Sequence, residues 1–571
     1  MKLKPIRIPQ AQLPTWMWYA LLGIALSIHL LTLPVTIMGP DGARYASIAK
    51  TMVENGNYFE LYLNGEEWLD KPHFQFWVTA LSYELFGINT FAYKFPAILF
   101  IFLGAFYTYR LAERLYNQEV ARWSALIFLT AEHLIISNVD VRAESYLTGL
   151  IIAAVYHFYR SHQGEGNWGG KHLLVGALFS AMAVMTKGVY VLVPIGFSVI
   201  GQIVMQRQWR QLFQPKWFLA ILLTAIFLTP ELYALYYQFD AHPEKVVFGQ
   251  TGVSGIRFFL WDSQWGRFSN TGPIKGRGDF FLFFHTVLWA FLPWGILLYA
   301  AVIRKFRRNI PKVKNGEEFY TLSAALVTFL LFSLSGFQLP YYLNILFPFF
   351  AILTSAYIYR LTAKGGVRFY TVVQYITIGL LFLAGVSLHF FFRPEPSPVW
   401  LWIGLSVLGG LFFLVRAKDQ GLKPVVFWRS CIAAFMVNLY LMLAFYPKLL
   451  SYQAGSEAAW YINEHFPEEE EVTIFGWTNS AFTFYLDQPL HWYDLETIRR
   501  KAKAEDLLVL ATPEGYEELM EAGMETEVIR TFDYWRLTLL TGPFLHYKTR
   551  DEVLEKRFLL RVGQGDKETG G

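Results

Sequence analysis

The chain of 571 residues has a single cysteine, Cys431, and little charge: 16% of its residues are Asp, Glu, Lys or Arg, against roughly a quarter in an ordinary soluble domain. One cysteine excludes an intrachain disulfide. Scarce charge together with 54% hydrophobic and 18% aromatic residues excludes a soluble globular protein and indicates an integral membrane protein in contact with a lipid bilayer. The net charge of +4 is small, and nucleic acid is not implied. No internal repeat is evident. Asp41, Asp70, His73, Asp140 and Glu144 are candidate metal ligands, but they lack the His-x-x-x-His or Cys-x-x-Cys spacing of a zinc site. No cofactor is therefore expected, with a divalent metal left open. His29, His133 and His285 lie in or beside apolar runs and read as hydrogen-bonded packing residues.

What is present is a succession of apolar runs. Basic Met1–Arg7 leads into Trp16–Ile37, long enough to cross a bilayer and without a small-residue cleavage site, which reads as an uncleaved anchor with its N-terminus inside. Further spans are predicted at Ala92–Leu115, Trp123–Ile136, Ser145–Tyr159, Leu173–Met185, Val189–Met205, Trp217–Tyr236, Phe280–Val302, Tyr320–Leu334, Tyr341–Ile358, Phe369–Phe391, Trp400–Val415 and Val426–Phe445. With the first, these make about thirteen transmembrane helices.

Loop charge orients them. Arg110 and Arg114, Arg207 to Lys216, Arg304 to Lys314, Arg360 to Arg368 and Arg416 to Arg429 fall on the side of Lys2, Lys4 and Arg7. The positive-inside rule makes that side cytoplasmic, so Gly39–Trp77, Asn138–Glu144, Lys187, Gln238–Asp279 and Ser335–Tyr341 face outward. The chain divides into a membrane domain, 1–447, and an outer domain, 448–571. The latter carries acidic Glu468–Glu471, a strand-like Val472–Phe475, a helix-like Ala511–Ala522 and a β-rich Trp535–Leu540, the signs of a small α/β domain. Gly563–Gly571 reads as disordered.

The chemistry concentrates in Gly39–Trp77, which gathers Asp41, Arg44, Tyr45, Asp70 and Lys71 at a membrane boundary. Such charges suit a charged, lipid-linked substrate. Asp41 can accept a proton from, or align, an acceptor hydroxyl or amine, and Arg44 can meet an anion. Equally, Asp41 can cap a helix that starts near Ala43, with Arg44 in a local ion pair. Lys71 precedes Pro72, which restricts its backbone, and a cation so placed suits a phosphate oxygen. The alternative is a snorkelling lysine within an aromatic belt of Phe74, Phe76 and Trp77.

The stretches DGARYASIAKTMVENGNY and LNGEEWLDKPHFQFW, followed by NVDVRAESYLTGL, MAVMTKGVYVLVP, FFLWDSQWGRFS, FLPW and SLSGFQLPYYLNILFP, resemble the polyprenyl-phosphate-sugar-dependent membrane glycosyltransferases. That family includes bacterial aminoarabinose transferases acting on lipid A and, more distantly, protein O-mannosyltransferases. The resemblance runs from the N-terminus to about Pro348 and extends beyond it only in layout. It implies that Asp41 is the catalytic carboxylate and that Arg44, Tyr45, Lys71, Arg267 and Tyr342 surround the donor phosphate. Asp70, Asp140 and Lys187 would belong to the same cavity.

The implied reaction is inverting transfer of one sugar from a polyprenyl-phosphate donor to a glycolipid such as lipid A, or to a protein, at the outer face of a bacterial inner membrane. The chain departs from the family pattern in having Gly42 for an acidic residue, His73 for a second proline and Gln338 for a lysine, and Gly272–Phe280 lacks an Arg/His-Gln-Pro stretch. A transporter or lipid flippase, and a non-catalytic envelope scaffold, are the other function classes. The first predicts charged groups and broken helices at mid-membrane, and the second gives no reason for the Asp41 and Lys71 pattern.

Overall fold

A computed structural model describes residues 14–164, 170–308, 317–395 and 397–564. Lys2, Lys4, Arg7, Lys312, Lys314 and the tail from 565 onward lie outside the described residues. The fold is mainly helical. Among the described residues, Thr90–Leu115, Pro340–Tyr359, Lys364–Phe392 and Leu422–Leu450 are long and apolar enough to cross a membrane, and Pro215–Phe227 with Thr229–Asp240 forms a bent fifth candidate. Thr15–Leu30, Val189–Met205, Tyr320–Leu334 and Val399–Leu414 are apolar but shorter.

Proline explains where several expected spans break. The first helix stops at Leu30 rather than Ile37, because Pro34 disfavours helix at the residue before it. The span expected over Trp217–Tyr236 bends by 41° just before Pro230. Phe280–Val302 divides into Leu282–Ala290 and Gly295–Arg308 on either side of Pro293. Trp123–Ile136 also divides, at Thr130, whose hydroxyl donates back to the Leu126 carbonyl at 2.6 Å. Two helices in the expected first outer loop, Asp41–Glu54 and Phe74–Phe86, flank a hairpin of β1 (Tyr62–Leu63) and β2 (Glu66–Glu67).

The C-terminal part is a five-stranded sheet of β3 (Val472–Phe475), β4 (Leu490–His491), β5 (Leu507–Ala511), β6 (Met524–Tyr534) and β7 (Glu555–Gln564), in the order β4-β3-β5-β7-β6. β3 runs parallel to β4 and β5, while β7 is antiparallel to β5 and β6. Alternation along β5 sends Leu508 and Leu510 to one face and Leu507 and Val509 to the other, each beneath its own helices. The expected helix over Ala511–Ala522 is strand as far as Ala511. Its helix then starts at Pro513, with the Thr512 hydroxyl capping the Gly515 N–H. Trp535–Leu540, expected to be β-rich, lies beyond the end of β6 in a turn, closed by the Trp535 indole N–H on the Leu539 carbonyl at 2.8 Å. Gly563, expected to be disordered, pairs with Glu525 in the sheet.

The site is carried by helices that pack closely. Gly149 of the Ala143–His162 helix faces Thr90–Leu115 so tightly that a Cβ there would stand 2.2 Å from the Phe100 carbonyl oxygen. Gly149→Ala should therefore lower stability by about 1–3 kcal/mol, read as a fall in the melting temperature of the detergent-solubilised protein. An unchanged melting temperature would show that the two helices can part without cost.

Candidate active site

The segment before the Asp41–Glu54 helix decides where Asp41 stands. Pro40 occupies the cap position and Asp41 is the first helical residue, so the capping role expected for a loop aspartate does not arise. Its carboxylate turns sideways instead, where Arg142 Nη1 donates to Oδ2 at 2.6 Å and Arg44 Nη1 stands 3.6 Å from Oδ1. Arg142 also grips Asp140, through Nε at 2.7 Å and Nη2 at 2.5 Å, and lies 4.1 Å over the Tyr341 ring. The other Asp140 oxygen accepts the Gly42 N–H at 3.0 Å. A Cβ at position 42 would lie 2.8 Å from that oxygen, so glycine replaces the family's acidic residue because Asp140 fills the space. Burial pushes the Asp140 carboxyl up despite Arg142, and Arg142, buried but flanked by carboxylates, is held firmly charged.

A second cluster lies opposite. Lys71 and Arg267 both bond Asp70, the arginine reaching it from the helix Ser263–Ser269. Burial pushes the Asp70 carboxyl up, but its two cations outweigh this and hold it below the ordinary range. Burial also lowers the Lys71 ammonium, against the pull of Asp70. Lys71 is thus a half-buried cation paired with Asp70 rather than a snorkelling one. Lys187 bonds Glu144 and lies 3.9 Å over the ring of Tyr342.

Both clusters border one cavity of about 310 Å³. Arg44, Lys71, Arg142, Lys187 and Arg267 line it against Asp41, Asp70 and Glu144, an excess of positive charge, with Tyr45, Trp68, Phe248 and Tyr342 among the aromatic walls. A smaller crevice of about 80 Å³ adjoins it, sharing Lys187, Arg267 and Tyr342 and continuing between apolar side chains such as Phe268, Leu331 and Phe332. A charged chamber opening onto an apolar one can hold a lipid by its phosphate.

Comparison with known proteins agrees with this geometry. Residues 70–233 match a family model described as dolichyl-phosphate-mannose-protein mannosyltransferase. An undecaprenyl phosphate-alpha-4-amino-4-deoxy-L-arabinose arabinosyl transferase of Edwardsiella ictaluri is 29% identical over 357 residues, 61% of this chain and 60% of that protein. Its counterpart in an Enterobacter species is 28% identical over 60% of this chain and 59% of its own length. The matched region thus spans about three fifths of these relatives. The crystal structure of ArnT from Cupriavidus metallidurans bound to undecaprenyl phosphate superposes with a TM-score of 0.74 and 17% identity, covering 96% of this chain and 98% of that one. The chain resembles the polyprenyl-phosphate-sugar-dependent membrane glycosyltransferases in sequence and has the fold of one of them.

Of the residues expected from sequence, Asp41, Arg44, Tyr45, Asp70, Lys71, Lys187, Arg267 and Tyr342 line the cavity together. Asp140 stands behind it, holding Arg142 and the Gly42 N–H. His73 is turned away, its backbone N–H and Nδ1 both 3.0 Å from the carboxylate of buried Glu231. Gln338, in place of a lysine, accepts the Asp279 N–H at 2.8 Å and donates to the Phe332 carbonyl at 2.9 Å. His29 and His133 are hydrogen-bonded, to the Leu129 carbonyl at 3.0 Å and to Asn344 at 2.8 Å. Arg142 and Tyr341 were not singled out from sequence. Arg142 sits in the quoted NVDVRAESY motif, and its separation from two aspartates by one and by a hundred residues hides the bridge it forms.

Asp70 makes the site acid-sensitive in a defined direction. Its folded-state pKa is depressed, so the stabilisation is complete above the ordinary carboxylate value of about 4 and is lost as pH falls through the folded value. The melting temperature should drop below about pH 4 in wild type, and the part of that drop due to Asp70 should vanish in Asp70→Asn. Identical acid limbs would show that Asp70 gains nothing from its two cations.

Proposed function

We propose that the protein is an inverting glycosyltransferase that moves one sugar from a polyprenyl phosphate to an acceptor of the cell envelope. The observation that carries this reading is the chamber where Lys71, Arg267 and Lys187 converge beside an apolar crevice, with Asp41 at the same cavity. The relatives' names supply the donor class, undecaprenyl phosphate carrying a sugar.

In the reaction the acceptor's nucleophile attacks the anomeric carbon while the bond from that carbon to the phosphate oxygen breaks. The polyprenyl phosphate leaves with one more negative charge than it had as a diester, and cations already facing that position stabilise it without reorganising. Lys71 and Arg267 fit this role because each is half-buried and held in place by Asp70. Asp41 takes the proton of an acceptor hydroxyl, or aligns it. Arg142 occupies Oδ2 and fixes the carboxylate's plane, leaving Oδ1, 3.6 Å from Arg44, on the cavity side for the acceptor. The cavity's excess of cations over carboxylates supplies positive charge for the leaving phosphate, so a metal is not obligatory for that task.

The site faces the outside of a bacterial inner membrane in this reading, as the basic loops on the opposite side support. Lipid A or a related glycolipid is the acceptor favoured by the resemblance. Exposed Arg257, on the helical stretch leading to Arg267, suits an anionic headgroup. A protein acceptor is the other class.

Asp41→Asn should abolish transfer while leaving donor binding intact. Lys71→Ala should weaken binding of the polyprenyl phosphate about tenfold to a hundredfold, the worth of a charge-assisted hydrogen bond. The deciding measurement is mass spectrometry of lipid A and of envelope proteins from cells lacking the gene, restored with wild type or with Asp41→Asn. A sugar-sized mass restored by wild type alone identifies the acceptor. Full restoration by Asp41→Asn would remove Asp41 from the chemistry.

A further inference from the structure

Among the described residues no strand pairs with the segment leading into Asp41, yet its backbone polar groups are taken one after another. Buried Lys94 donates to the carbonyls of Thr32 at 3.2 Å and Val35 at 2.5 Å, and the Met38 N–H reaches the Val139 carbonyl at 3.4 Å. These come from the helical part of the chain. The remaining partners come from the C-terminal part. Gln453 accepts the Gly39 N–H at 2.7 Å and donates to the Ile37 carbonyl at 3.0 Å, so that one side-chain amide completes both bonds a neighbouring strand would have made. The Tyr485 hydroxyl accepts the Ile37 N–H at 2.9 Å and shares a bond with Thr90 at 2.8 Å.

The helix that begins with Asp41 is held by the same neighbour. Lys50 donates to the carbonyls of Thr483, Phe484 and Leu486 at 3.5, 3.2 and 2.7 Å, at the C-terminal end of the short helix Ser480–Tyr485. Positive charge is favoured at such an end. Ser47 donates to the Ser480 carbonyl at 3.1 Å. Gln453 is 5% exposed, and an unmade bond at that depth costs more than a surface one.

We infer that Gln453 and Tyr485 are positioning residues, through which the C-terminal α/β part clamps residues 37–39 and so sets the place of Asp41 at the cavity. This rests on the transferase reading for its consequence and on the geometry alone for its mechanism. Gln453 touches neither the cavity nor Asp41. Gly39 and Asp41 are two residues apart, so a shift of the clamped backbone is passed to the carboxylate almost undiminished.

The test uses the full chain in proteoliposomes carrying the polyprenyl-phosphate sugar. Gln453→Leu should lower kcat about tenfold to a hundredfold, the usual cost of misplacing a catalytic group by about 1 Å, with the KM for donor within about twofold of wild type. Gln453→Glu keeps the acceptor for Gly39 and loses the donor to Ile37, so its kcat should fall between the two. A merely structural role would lower active fraction without this ordered kcat series at constant KM. Hydrogen exchange gives a readout that needs no activity: amides 37–39 should exchange faster in Gln453→Leu and Tyr485→Phe, while those of Thr90–Leu115 and Ala143–His162 stay protected. Unchanged exchange at 37–39, or unchanged kcat in a folded Gln453→Leu, overturns the inference. If wild type transfers no sugar to any envelope fraction, the transferase reading fails and the exchange comparison still decides the clamp.

Discussion

The structure of the site depends on one guanidinium. Arg142 joins Asp41, from the start of one helix, to Asp140, in a loop 99 residues further on, and lies over the ring of Tyr341 from a third part of the chain. A buried arginine with two carboxylates within reach is a costly arrangement unless every lone pair and proton is used. Here Asp140 uses its second oxygen on the Gly42 backbone, and the planar fork of the guanidinium fits the spacing of the two acids as an ammonium could not. The result is a carboxylate whose direction is set by Arg142 at Oδ2 and whose Oδ1 meets only the more distant Arg44, at 3.6 Å. Removing Arg142 would leave buried Asp140 without its cationic partner, so the arrangement is rigid because that alternative is expensive.

The same logic governs the opposite wall. Asp70 serves Lys71 and Arg267 at once, a division that leaves each cation incompletely neutralised and each geometrically fixed. Two cations sharing one acid keep residual positive charge pointing into the cavity, where full pairing with two acids would have quenched it. Lys187 and Glu144 form a one-to-one pair, with the lysine held against Tyr342. The strongest attraction for an anion therefore lies nearer Asp70 than Glu144, although all three cations line the same space.

How much of this was legible in the sequence follows the range of the interactions. Features marked by their immediate neighbours stand out in the sequence: Lys71 before Pro72, Asp41 after the first apolar run, and the helix Tyr320–Leu334, whose bounds the apolar run alone marks. Local breakers were read less well. Pro34, Pro230 and Pro293 each end or bend a helix that hydropathy carries straight through, because hydropathy averages over the residue that interrupts it. In the C-terminal part Val472–Phe475 was evident from its β-branched and aromatic pattern, whereas Trp535–Leu540, leucine-rich with Thr538 its one β-branched residue, is a turn, since the pairing of β6 with β7 ends at Tyr534. Partners distant in sequence left no local trace. Arg142 with Asp41, His73 with Glu231 and Gln453 with Gly39 are separated by 101, 158 and 414 positions, and none has a periodicity to betray it.

The site thus combines two kinds of constraint that a membrane enzyme has to reconcile. A phosphate on a long apolar chain needs a polar chamber and an apolar exit in contact, and Lys187, Arg267, Phe337 and Tyr342 line both spaces. Charges so close to an apolar region lose their water, which strengthens their hold on a phosphate and raises the cost of any unpaired state. Pairing within the protein before the ligand arrives removes that cost. It also means that an arriving phosphate competes with Asp70 and Glu144 for the same cations, and its binding energy is the difference between the two sets of bonds. An exchange of that kind suits the proposed reaction: a polyprenyl phosphate released in the cavity would be displaced by carboxylates already within reach.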